Sequence, residues 1–398
     1  MTRPDEKSGE GPPIPPLAVL GRGLVAPPGH TGPGSFLDAL GKGQRALSGR
    51  PNLLDPWNPA SHAKSKQLRR MSRLAGFAFV ASSRALREAG LATDAPQPGD
   101  DLGLVFATVH GATAYLVDFH RGFLGEGLPG ASPLVFANGV TNAPTTHVSI
   151  EYAARGRCLT FTGGDLGAFE GIAEAAALVR KGTRAVLVCA GEEMSDLVAG
   201  CYRRYGAAAG ARSAKALPGP VPLCEGASAL VLGPAVPGAP GLVLESWAFG
   251  GPSPDASDCA PAVEEAIRAC LERAHLTAED PDLLVCSLRG DGGDRGELAG
   301  ISAAFRGRRR PLPAASPAAA LGEGFAFTAL IGVVAGLGML ERGAVPPCAQ
   351  EPPPVVSAPL SFPRDLLRAP LSFLLAVHRD AAGSAAAVLA RLRKADIP

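Results

Sequence analysis

The sequence predicts a layered α/β fold with mainly parallel strands, assembled from two halves of like design. Three observations carry that prediction. Short apolar runs of strand length alternate along the chain with longer segments of helical periodicity. The order strand, helix, strand recurs at two places, and LREAGLATD from Leu86 resembles LERAHLTAED from Leu271 in texture, each shortly before a buried strand. A strand, a tight glycine turn and a helix follow one another over Cys158–Arg180.

Taken in order, residues 1–16 are polar, proline-rich and aperiodic, and read as a disordered tail. The first half, 17–240, opens on LAVLGRGLVAPPG, a buried strand closed by a Gly/Pro turn. Residues 50–66 form an irregular loop. Met71–Leu91 carries apolar residues at helical spacing with Gly90 as a C-cap, and DLGLVFAT (Asp101–Thr108) is a second buried strand. CLTFT reads as a third buried strand, GGD as a tight turn, and the helical pattern from Leu166 ends at Arg180, Lys181 and Gly182. The second half, 241–398, starts with the strand GLVLESWAFGG, the helix Ala262–Ala274 and a strand in LLVCSL. The longest apolar stretch, Phe325–Leu340, is too short and too rich in Gly and Ala for a membrane span and reads as a buried core helix.

Composition narrows the classes of function. A net charge of +1 leaves no basic excess for a nucleic-acid backbone. The eight cysteines are scattered singly, with no CxxC pair and no Cys/His cluster, so neither a metal site nor a disulfide framework is expected. The start of the chain shows no secretory leader, and a reduced, cytoplasmic protein is expected.

The most informative segment is RGRCLTFTGGDLGAFEG. A strand–turn–helix elbow lifts its apex side chain onto a helix N-terminus, where N–H groups and dipole favour an anion and stabilise a thiolate nucleophile. Here the apex is Asp165.

In order along the chain, LAVLGRGLVAPPG, RRMSRLAGFAF, Ser132–Gly156 ending HVSIEYAARG, CEGASALVLG, PLPAASPAAALGE and AAGSAAAVLARL resemble the β-ketoacyl synthases of fatty-acid and polyketide assembly, over roughly Leu17–Leu392. The resemblance implies a thiolase-like layered αβαβα fold built from two duplicated halves. It also implies where catalysis would sit. The family's nucleophilic cysteine falls on Asp165, its first histidine on Arg289 in LRGDG, its second on Glu323 in LGE, and the nearby lysine on Ala318. The glycine-rich gating segment is replaced within LAVHRDAAG. Condensation needs a thiolate to hold the acyl chain and two imidazoles for the developing oxyanions. No catalytic residue is therefore expected. If the fold is kept, Asp165, Arg289 and Glu323 converge as a charge-compensated plug. The alternative is a free-standing enzyme with repurposed acid/base residues, a malonyl decarboxylase or hydrolase.

Ketosynthase-like chains without the cysteine resemble the chain-length-factor subunits of type II polyketide synthases. That likeness implies a heterodimer with a catalytic ketosynthase homologue, an acyl carrier protein as second partner, and an acyl tunnel between the subunits. A homodimeric scaffold is the third possibility. No cofactor is implied except, indirectly, the phosphopantetheine of the carrier. The tunnel positions fall on Thr113, Leu116 and His120, whose spacing puts them on one helical face. Thr113 and His120 stand where aromatics are frequent, which implies a tunnel of altered shape for a reduced or polyene chain. Other features read more plainly. His147 is a packing or interface residue, His110 a loop residue near the interface, and GDGGDRGE (Gly290–Glu297) a solvated turn. Arg308–Arg310 is a solvated run or a docking point for an acidic carrier.

Overall fold

Period-2 alternation is what divides this molecule into layers. The computed structural model describes residues 15–43, 51–91, 101–206, 222–252, 258–348 and 359–395; the expected tail lies outside them except for Pro15 and Pro16. The first half contains β1 (Leu17–Val25), α1 (Pro33–Gly41), α2 (Arg73–Glu88), β2 (Leu102–Thr108), α3 (Thr113–Glu126), α4 (Pro133–Gly139), α5 (Ala143–Glu151), β3 (Cys158–Thr162), α6 (Gly167–Arg180), β4 (Ala185–Glu192), α7 (Asp196–Cys201) and β5 (Gly226–Pro234). The second half contains β6 (Gly241–Gly250), α8 (Ala260–Arg273), β7 (Leu283–Val285), α9 (Asp294–Ala304), β8 (Leu312–Ala315), α10 (Pro317–Leu321) and α11 (Ala326–Arg342). It closes with β9 (Ala344–Val345), β10 (Leu360–Ser361), β11 (Leu367–Arg368), β12 (Phe373–Arg379) and β13 (Ala385–Arg393).

Among the described residues the strands run β10-β8-β7-β12-β13-β6-β1-β5-β4-β2-β3. Read outward from the contact between β1 and β6, the two halves follow one plan: β1-β5-β4-β2-β3 and β6-β13-β12-β7-β8. In the first, β2 is parallel to β3 and β4 while β5 is antiparallel to β4. In the second, β7 is parallel to β8 and β12 while β13 is antiparallel to β12. This is the duplication expected from the sequence. Because successive strand residues face opposite ways, Val105, Val188 and Leu230 enter a central core while Leu104, Leu187 and Val231 pack with α2 residues in another. In the second half Val285, Ala376 and Val388 enter the same central core, while Leu284, Leu375 and Leu389 join residues of α8 and α9. The central core also holds α6 and α11, so the layers run helix, sheet, helices, sheet, helices. The helix α11, sandwiched between sheets, is apolar all round, as the stretch Phe325–Leu340 announced.

One strand differs from its expected burial. CLTFT reads as buried, yet β3 is half-exposed because it lies at the end of the sheet with β2 on one side only.

Candidate functional site

Parallel strands of both halves end at the same place, and the loops that follow them build the site. Asp165 follows β3 at the head of α6, Arg289 follows β7, and Glu323 stands in the turn before α11. The three are buried and meet, as the motif positions require. Arg289 Nη1 donates to Asp165 Oδ2 at 2.8 Å, and Arg289 Nε lies 2.9 Å from Glu323 Oε2. The second contact is an ion contact rather than an aligned hydrogen bond. Glu323 Oε1 accepts from Phe325 N–H and, at 3.0 Å, from Thr328 Oγ1, so it also caps the entry to α11. Burial pushes the Glu323 carboxyl up, and Arg289 only partly opposes it. Burial acts against the Arg289 charge, but Glu323 and Asp165 outweigh it and hold the guanidinium firmly protonated.

The other wall of the site comes from the end of β12, the segment that the resemblance assigns to the gate, though no single residue there is given a role by the sequence. His378 Nε2 lies 2.9 Å from Arg289 Nη2, and the same Nη2 also donates to the Arg379 carbonyl. The Arg379 guanidinium contacts Asp291, Asp294 at 3.0 Å and Glu297 at 3.4 Å. Those carboxylates hold the loop that carries Arg289. Asp294 accepts from Arg289 N–H and Gly290 N–H, each at 2.9 Å, while Glu297 accepts from Ser287 N–H at 2.7 Å and Leu288 N–H at 3.2 Å. The reading of Gly290–Glu297 as a solvated turn is thereby corrected. Asp294 and Glu297 are fully buried, because Arg379 from a distant strand supplies their counter-charge. With five carboxylates around two guanidiniums, the cluster carries more than the compensated plug expected; burial answers by raising Glu323 and by pushing Asp294 up to about 6.

The first half contributes a further set. Glu192, at the end of β4, accepts from Val109 N–H, from His110 N–H at 3.2 Å and from Thr108 Oγ1 at 3.1 Å. Its burial pushes it up to about 8, with Asp165 adding to the shift. His110 lies in the loop after β2, as expected, and its ring sits edge-on to Phe325 at 4.8 Å and to Tyr202 at 5.6 Å. Burial lowers its pKa, and Asp165 works in the opposite direction. Tyr202 is pushed up to about 12 by burial and then by Asp165, Glu323 and Glu192.

The structure spreads the remaining candidates. Thr113, Leu116 and His120 lie on α3, a helix with no buried residue in this chain, and Leu116 packs over Gly139 of α4. His147 on α5 bridges Asn138 Oδ1 at 2.8 Å and Gln67 Oε1 at 3.0 Å, a packing role. Ala318, at the lysine position, is buried in α10. Arg308 is committed to backbone carbonyls, with Nη2 2.8 Å from Pro281 O, and Arg310 faces Glu279. No thiol substitutes for the missing nucleophile at the plug: Cys224, whose Sγ lies 3.3 Å from Gly322 O, is held far above the thiolate range by burial and by Glu323. Among the described residues no His/Cys/Asp/Glu group is arranged to hold a metal, and no helix is long and apolar enough to cross a membrane.

Residues 53–217 match the family described as beta-ketoacyl synthase, N-terminal domain. No curated protein matches the chain. Among solved structures, a beta-ketoacyl synthase from Burkholderia phymatum STM815 superposes with a TM-score of 0.80 at 17% identity, covering 96% of this chain and 100% of that one. The ishigamide ketosynthase/chain length factor gives 0.78 at 17% identity, over 96% and 100% of the two chains. A type II polyketide synthase acyl-carrier protein in complex with its ketosynthase, bound to the hexaketide, gives 0.75 at 18% identity over 95% and 100%. Residues 53–217 are thus similar to the N-terminal domain of the β-ketoacyl synthases, and the chain as a whole shares the thiolase-like fold of these solved ketosynthase structures.

Proposed function

We propose that the chain is a non-condensing, ketosynthase-like subunit, a chain length factor, that pairs with a catalytic ketosynthase and shapes the acyl-chain tunnel in polyketide or polyene/fatty-acid-like biosynthesis. The observation that carries this reading is the guanidinium of Arg289 clasped by Asp165 and Glu323. Condensation in the family needs a thiolate and two imidazoles at those places, and a carboxylate there repels the developing oxyanion. The likeness to a ketosynthase/chain length factor and to a ketosynthase in complex with an acyl-carrier protein supports a ketosynthase partner and a carrier.

The surface supports a partner as well. Leu124 and Leu128 are each 81% exposed, Ile150 62%, Leu134 54% and Phe136 51%, all on or beside α3, α4 and α5. Exposed apolar side chains on neighbouring helices, with β3 at the end of the sheet among the described residues, favour a partner on this side. Thr113, Leu116 and His120 share that region, so a second chain would supply the missing wall of a tunnel. Co-expression with a cysteine-bearing ketosynthase tests the proposal: a one-to-one complex is expected, and an acyl thioester trapped on the isolated chain would overturn it. Glu192, buried and poised at about 8 beside Asp165, favours the second reading, an acid/base enzyme acting alone. That reading requires turnover by the purified chain that Asp165→Ala or Glu323→Ala abolishes.

A further inference from the structure

His378 is buried on β12 at 3% exposure, and nothing in the proposed function uses it. Its Nδ1 lies 3.1 Å from Ser287 Oγ and its Nε2 2.9 Å from Arg289 Nη2. A guanidinium has donors only, so Nε2 must accept. A ring that accepts at Nε2 is neutral, with its proton on Nδ1 facing the Ser287 hydroxyl; the tautomer follows from these partners. The charged groups facing the ring are Arg289 and Arg379, and both oppose its protonation after burial itself. The carboxylates of the cluster touch those guanidiniums rather than the ring: Asp165 and Glu323 on Arg289, and Asp291, Asp294 and Glu297 on Arg379.

Each nitrogen of Arg289 thus has a set direction. Nη1 faces Asp165, Nε faces Glu323, and Nη2 is held by two neutral acceptors, His378 and the Arg379 carbonyl. Carboxylates attract a guanidinium from many angles, whereas a neutral imidazole lone pair accepts along one. We propose that His378 is a positioning residue: as a neutral Nε2 acceptor it fixes the Arg289 fork across Asp165 and Glu323, and so keeps the apex of the elbow closed to incoming groups. The segment that relatives use as a glycine-rich gate is, in this chain, the lock on the site. This does not depend on a partner subunit.

Chemical access to the two carboxyls reads the lock directly. The full chain is treated with a water-soluble carbodiimide and glycine ethyl ester, and labelled peptides are quantified, with the exposed Asp118 as internal reference. In the wild type Asp165 and Glu323 are expected to stay protected. His378→Leu keeps bulk but has no acceptor, and labelling at both positions should rise about tenfold, the factor for losing one hydrogen bond to a charged group. His378→Gln restores an acceptor oxygen and should restore protection. The proposal fails if His378→Leu is as protected as the wild type, or if His378→Gln is as open as His378→Leu, which would mean packing alone. Should His378→Leu not fold, ¹⁵N-histidine NMR of the wild type decides. Protonated Nδ1 with bare Nε2 from pH 5 to 8 is expected, and a ring titrating near 6.5 overturns the assignment.

Discussion

The two halves solve one problem in opposite ways. In each, a parallel strand runs into a loop: β2 ends at Thr108 and continues as Val109-His110-Gly111, and β7 is followed by Ser287-Leu288-Arg289-Gly290. Gly111 and Gly290 both turn the chain at positive φ, 66° and 82°. Both loops hang their N–H groups on buried carboxylates. Strand register sets the comparison. Phe106 of β2 pairs with Cys189 of β4, three residues before Glu192; Val285 of β7 pairs with Ala376 of β12, three residues before Arg379. Where the first half places a carboxylate that grips its loop directly, the second places a guanidinium, which grips Asp294 and Glu297 and through them the loop. The two halves share a backbone plan, yet a buried carboxyl in one stands where a guanidinium stands in the other, and the loop side chains differ as well, His110 on one side and Arg289 on the other.

Three experiments sharpen or break this comparison, in order of expected effect. Arg379→Leu leaves Asp294 and Glu297 buried without a cation, and should cost about 3–5 kcal/mol in urea unfolding; a loss below about 1 kcal/mol would mean that the second loop does not hang on the cation. Next comes pH. Glu192 has a folded pKa near 8 against an ordinary 4.5, so the folded state binds the proton more tightly and stability falls as pH rises toward 8. His378 changes stability only below its ordinary 6.5, and Asp294 only below about 6; from 6.5 to 8 Glu192 acts with Glu323 and Glu193, which burial raises in the same direction, and Glu192→Gln isolates its share. There Glu192 should cost the wild type up to about 1.4 kcal/mol per pH unit. In Glu192→Gln the slope should flatten, and an unchanged slope would remove Glu192 from the account. The smallest effect on the isolated chain is at the surface: Leu124→Asp with Leu128→Asp should shift stability by no more than about 0.5 kcal/mol, while the one-to-one complex with a ketosynthase is lost in size-exclusion chromatography.

Much of this was legible from the residues. The alternation of strand and helix and the elbow with Asp165 stand in the sequence as local patterns, whereas Arg289 and Glu323 are marked only by the family resemblance; the structure brings the three together. Gly290–Glu297 was misread because a run of Gly and Asp is the composition of a turn, and composition says nothing of a cation 88 residues away. Glu192 ends an apolar strand, where nothing local marks it as part of a site; His378 lies in the segment that the resemblance assigns to the gate, where no pattern gives the residue itself a role. The equivalence of Phe106–Gly111 with Val285–Gly290 was not read either, because the two segments share only their final glycine.

Residue type by itself determined that no thiol stands at the elbow, that no imidazole follows β7 or precedes α11 at the family's positions, and that the chain is a two-half α/β protein. Those are local facts, decided by one side chain or one periodicity. Only the tertiary structure decided which charges neutralise which, which carboxyls keep their protons, and which apolar side chains stay uncovered on α3, α4 and α5. Charge pairing and desolvation depend on what the fold brings within a few ångströms, and the groups that meet here come from strands far apart in the chain.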